Sequence, residues 1–105
     1  MKEIYLVEEG GFDDYDLKAI FVNEVKSIDY TEKLIYKMNQ EIDIDNNFNR
    51  KIRGIRFYFI KPFRLIHTKK LIIDNGFLPY YEWRWENNNR FVRIRCFKIE
   101  TELKI

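Results

Sequence analysis

From Tyr81 to Phe97 the chain alternates side-chain character with one interruption, and this alternation constrains the fold more than any other feature. Tyr81, Trp83 and Trp85 share one parity, and Glu82, Arg84 and Glu86 the other. After Asn87, Asn88 and Asn89, Val92, Ile94 and Cys96 oppose Arg93, Arg95 and Phe97. A period of two belongs to β-strands, whose successive side chains point to opposite faces. Asparagine tolerates positive φ, so three of them can form the turn without glycine. The segment is expected to be a hairpin with its tryptophans inward and its charged residues outward. Cross-strand Glu/Arg pairs on the outer face are worth about 0.2–1 kcal/mol each.

The rest of the chain supplies further elements. "KEIYLV" (2–7) and "LKAIFVN" (17–23) read as strands joined by the acidic loop "EEGGFDDYD" (8–16). The second of these becomes apolar on both faces toward its end and is expected to lie centrally in a sheet. "SIDYTEKLIYKMNQEID" (27–43) repeats Tyr30, Leu34, Met38 and Ile42 at helical spacing, with Ile35 beside them. Asp29 followed by Glu32 fits a capping box, and Ser27 is a competing cap. A polar loop, "DIDNNFNRK" (43–51), follows, then a strand over 52–60 with Gly54 marking a bulge or a close approach. Residues 62–77 are ambiguous. β-Branched residues favour a strand; Pro62 at the start and Asn75-Gly76-Phe77 at the end favour a helix, which is the reading adopted. Phe63, Ile66, Lys70 and Ile73 would share its face. The expected order is therefore β-β-α-β-α-β-β: an α+β fold, with helices packed on one face of a mostly antiparallel sheet.

One chain of 105 residues, 46% hydrophobic and 17% aromatic, makes a single domain with one core rather than a disordered segment. A lone cysteine, Cys96, excludes an internal disulfide framework. The start, "MKEIYLVEEGG", lacks the pattern of a signal peptide, and no apolar run approaches a membrane span, so a cytoplasmic protein is expected. The net charge of +2 conceals a split: residues 1–50 sum to −6 and residues 51–105 to +8. Such a split predicts a dipolar surface or mutual attraction of the two halves.

Tests for chemistry return little. Asp43, Asp45 and Asn47 begin like a calcium loop, but Phe48 stands where glycine is needed and Gly54 where glutamate is needed. His67 and Cys96 are each the sole residue of their kind, too few for a zinc site. No nucleophile stands in a recognisable catalytic setting, and no glycine-rich loop is followed by Lys-Ser/Thr. The expectation is a non-enzymatic protein without metal or cofactor. "RGIRFYFI" (53–60) brushes the RNA-recognition-motif signature, but Ile55, Arg56, Tyr58 and Ile60 miss restricted places and the element order is wrong.

Two surfaces remain. Glu8, Glu9, Asp13, Asp14 and Asp16 form an acidic cluster suited to a basic protein partner. Arg53, Arg56, Arg93 and Arg95 could form a basic sheet face for nucleic acid if their strands are neighbours. The first strand carries only Lys2 and Glu3 against edge pairing, so a homodimer through that strand or exposed aromatics is a further expectation.

The pattern Tyr5, Val7, Gly11, Phe12, Asp13, Asp14, Tyr15 and Phe21 resembles a family of small bacterial and bacteriophage proteins. They open with Tyr-x-Val and an aromatic-Asp-Asp-Tyr loop and close with a strand like "YYEWRWE". The likeness covers about a fifth of the chain, and residues 43–77 depart from it as an insertion. It implies a phage- or mobile-element-type accessory protein, such as an inhibitor of a host defence or regulatory protein. It brings no catalytic residue.

Overall fold

A computed structural model describes residues 2–11, 13–53, 59–74, 76 and 78–99. Its elements run β1 (Lys2–Gly10), β2 (Tyr15–Phe21), α1 (Glu24–Arg53), β3 (Arg64–Ile72), β4 (Tyr80–Glu86) and β5 (Phe91–Ile99). The strands form one five-stranded sheet in the order β2-β1-β5-β4-β3. Every pairing is antiparallel. No helix among the described residues is long and apolar enough to cross a membrane.

The alternation that defined the hairpin also fixes the core. Tyr81, Trp83 and Trp85 pair in register with Cys96, Ile94 and Val92. Tyr5 and Val7 continue the same rows across β5. These side chains except Tyr81, with Ile35 of α1 and Phe63, form the buried cluster, and Tyr81, Leu34, Met38 and Ile42 pack against it. Burying each large apolar side chain is worth about 1.5–3 kcal/mol. Ser27 and Thr31 are fully buried. Their hydroxyls donate back to helix carbonyls, Ser27 to Glu24 at 2.7 Å and Thr31 to Ser27 at 2.8 Å. Two small, self-satisfied polar residues thus let the helix lie close to the sheet.

The order β-β-α-β-α-β-β is overturned, because the described residues form one helix and not two. Residues 64–72, read as helical, form the edge strand β3. The strand signal was masked by two breaks in register with β4, between Leu65 and His67 and between His67 and Lys70. Gly76 does adopt a positive φ of 91°. It serves the β3–β4 connection, not a helix end. The strand expected over 52–60 is also absent where described: α1 runs through Arg53, residues 59–60 have no regular structure, and 54–58, with Gly54, lie outside the described residues.

The helix begins earlier and ends later than its apolar repeat. Asn23 caps it, its Oδ1 accepting from Lys26 N at 2.9 Å, so neither Asp29 nor Ser27 is the cap. Beyond Ile42 the polar segment stays helical to Arg53. Asn39 and Asn46, two turns apart, both bond to the extended segment ahead of β3. Asn46 accepts from Ile60 N at 3.1 Å and donates to Ile60 O at 2.7 Å. Asn39 does the same to Phe63, at 2.7 and 3.3 Å. Seven helical residues and three extended ones both span about 10 Å, so the two amides match the backbone they hold.

The expected positions of the first two strands are exchanged. β2, read as central, is an edge; β1, read as an unguarded edge, lies between β2 and β5. The dimer contact assigned to the first strand therefore has no edge to use.

Candidate interaction surface

The face of the sheet turned away from α1 carries the even-numbered residues of β1 and β4 and the odd-numbered residues of β5. In register these are Leu6 with Arg95 and Glu82, and Glu8 with Arg93 and Arg84. The carboxylates at the centre are buried: Glu8 is 2% exposed and Glu82 3%. Glu8 accepts from Arg93 Nε at 3.0 Å and from both Nε and Nη2 of Arg95, the latter at 2.9 Å. Glu82 meets His67 Nε2 at 2.8 Å, Arg84 Nη1 at 3.6 Å and Arg93 Nη1 at 3.7 Å. Arg84 also pairs with Glu86. Three carboxylates and three guanidiniums thus cancel.

Aromatic rings complete the lattice. Arg84 lies 4.4 Å from the Phe91 centroid. Arg93 lies 5.1 Å from Phe91 and 5.6 Å from Tyr15. Arg95 sits 5.1 Å from Phe97 and 5.4 Å from Tyr80. A guanidinium bonded in its plane to carboxylate and stacked on its faces is held in place and has little left to offer a phosphate.

Next to this lattice lies the β1–β2 hairpin. Gly11 N donates to Asp14 O at 2.9 Å across its turn. A Cβ on Gly10 would come within 2.5 Å of Asp14 O and 2.8 Å of the Phe91 ring, so the turn admits only glycine there. Asp13, Asp14 and Asp16 are exposed. Along β2, Tyr15, Leu17 and Ile20 are 59, 51 and 55% exposed. They pair with Gly10, Glu8 and Leu6, which puts them on the face away from the helix.

The acidic cluster read from sequence is thus divided. Asp13, Asp14 and Asp16 stand at the hairpin tip and its flank. Glu8 is buried in the ion lattice, and Glu9 is paired with Lys18 at 3.6 Å and Arg90 at 3.5 Å. The basic set is divided as well. Arg93 and Arg95 are neighbours on β5 and both bind Glu8. Arg53 is the last residue of α1, and Arg56 lies outside the described residues. The sequence reading missed the exposed row Tyr15, Leu17, Ile20, because apolar alternation looks alike on a central and an edge strand. The closure of Glu8 on Arg93 and Arg95 had only one signal, an acid directly after the apolar run of β1.

Among the described residues, no group of three or more His, Cys, Asp and Glu could hold a metal ion. Cys96 is buried, and burial pushes its thiol pKa up, away from the reactive thiolate. Burial, and then the 2.5 Å bond donated to Glu3, raise the Tyr5 hydroxyl well above the ordinary phenol range. No known family model, curated protein or solved structure matches this chain.

Proposed function

We propose that this chain is a non-enzymatic protein-binding protein that meets its partner with the β1–β2 hairpin. The observation that carries the reading is the exposed row Tyr15, Leu17 and Ile20 beside Asp13, Asp14 and Asp16. An apolar and aromatic centre with a charged rim is the usual anatomy of a protein contact. The acids would speed encounter with a basic partner and select it, while the apolar row would hold it. The resemblance to bacterial and phage accessory proteins supports a host defence or regulatory protein as the target and inhibition as the outcome.

Nucleic-acid binding by Arg93 and Arg95 is the weaker reading, since Glu8 engages Nε of Arg93 and both Nε and Nη2 of Arg95. The two readings separate in one experiment. Tagged protein is used to capture partners from a bacterial lysate, as wild type, as the Asp13/Asp14/Asp16→Ala triple variant and as Leu17→Ser/Ile20→Ser. One protein retained by the wild type, lost with the apolar pair and made less salt-sensitive by the triple variant supports the reading. Equal recovery by all three removes the hairpin from it. Nuclease-sensitive recovery would favour nucleic acid.

A further inference from the structure

The two edges of the sheet are protected unequally. β3 breaks register with β4 twice, places Lys69 at a positive φ of 43° with its ammonium turned to Glu24 at 3.1 Å, and carries Arg64 and Lys70 besides. Bulges, positive charge and left-handed residues are the devices by which an edge refuses a further strand. β2 has a single break in its pairing, at Lys18 opposite Val7/Glu8. Its lysine is turned to Glu9 at 3.6 Å, and its side chains Tyr15, Leu17 and Ile20 are open. Among the described residues β2 has a strand on one side only, and its outward backbone groups have no ladder partner there.

From this we infer that β2 accepts an extended, basic segment of the partner protein as a sixth strand. The inference rests on the protein-binding reading above and specifies its mode. Main-chain bonds supply affinity in such additions, and alternate side chains supply choice. The charge of the occupant follows from the hairpin tip. Asp13, Asp14 and Asp16 are exposed at the start of β2, and the strand's own cation, Lys18, is engaged. A second copy fits poorly. Antiparallel pairing of β2 with itself about Leu17 or Lys18 would set Asp13 and Asp14 against the stretch from Ile20 to Asn23, which contains no cation; Lys18, which would face Asp16 about Leu17, is already turned to Glu9. A foreign segment with lysine or arginine on alternate residues and apolar residues between them meets both features, over about seven residues or 23 Å.

The test uses the full chain and the heptapeptide Ac-Lys-Val-Lys-Val-Lys-Val-Lys-NH2 as probe, with amide hydrogen exchange followed residue by residue. Two control peptides replace Lys by Glu, or carry a methyl on every backbone nitrogen and keep the charge. The expected result is slowing of exchange by tenfold or more at amides within Tyr15–Phe21, none within Arg64–Ile72, and no effect from either control. Equal binding of the methylated peptide, or chemical-shift changes at Asp13–Asp16 without amide protection, would overturn the strand addition. Concentration-dependent protection of β2 without peptide would overturn it in favour of a second copy. If the peptide fails while the lysate partner is still held through Leu17 and Ile20, only this inference falls. If no partner is captured at all, the functional reading falls.

Discussion

Asn46 holds both backbone groups of Ile60, accepting from its N–H at 3.1 Å and donating to its carbonyl at 2.7 Å. Asn46 is 6% exposed, so these bonds stand in for water that cannot reach the site. They tie the far half of α1 to the approach to β3. Asn46→Ala should cost about 1–3 kcal/mol, since it strands a buried donor and acceptor. Asn46→Asp should cost at least as much, because a carboxylate would face the Ile60 carbonyl. Urea denaturation of the two variants checks this; an alanine variant within about 0.5 kcal/mol of wild type would show that the clamp contributes nothing.

Glu8 is the hub of the ion lattice. Glu8→Gln keeps its shape but removes the carboxylate that Arg93 and Arg95 share, leaving Arg93 its longer 3.7 Å contact with Glu82. A loss of about 3 kcal/mol is expected, as for other broken buried pairs. The same change should free the guanidiniums for phosphate. Binding of single-stranded DNA is then expected to rise from negligible in the wild type, with a log–log salt slope of about −0.7 per contact. Fluorescence anisotropy across a salt series reads this out, and an unchanged variant would show that the lattice does not mask the arginines.

Tyr5 gives the fold an alkaline limit. Its hydroxyl is held protonated by burial and by Glu3, while in the unfolded chain it ionises near the ordinary value of about 10. The native state therefore binds the proton more tightly. Its contribution is complete below about pH 10 and falls as the pH rises from there toward the native value. Denaturation midpoints measured from pH 8 to 11 should drop at the upper end, and Tyr5→Phe should flatten that drop. A Tyr5→Phe profile identical to wild type would assign the limit elsewhere.

Cys96 should be silent in the native state. Burial raises its thiol pKa and shields the sulfur. Labelling with a disulfide reagent at pH 8 is expected to be slower than for a free thiol by more than tenfold, and to become complete in denaturant. Rapid labelling of native protein would place the thiol at the surface.

The interior position of β1 changes the expected assembly. With β1 paired on both sides, its apolar run is no template for a second copy. A monomer is expected at micromolar concentration, and sedimentation velocity should give one species independent of loading. A dimer that persists in Leu17→Ser/Ile20→Ser would point to a contact away from β2.

The sequence by itself determined the β4–β5 hairpin, the inward tryptophans and the core stripe of α1. Each of these is a local periodicity, and a two- or 3.6-residue repeat decides which side chains can share a face. It also marked the acidic hairpin tip, since Gly10, Gly11, Asp13 and Asp14 form a turn whatever surrounds them. Only the tertiary structure decided which strand is an edge. β1 and β2 both carry an apolar run, and it is the return of β5 beside β1 that buries one and exposes the other. β3 was hidden for a related reason: its pairing with β4 breaks twice, and a bulged strand loses its period of two. The extension of α1 to Arg53 depends on Asn39 and Asn46 reaching Phe63 and Ile60, a match in length between two distant segments that no local propensity encodes. Glu8 meets Arg93 and Arg95 for the same reason: residues 85 and 87 positions apart become neighbours only when the first strand and the last are paired.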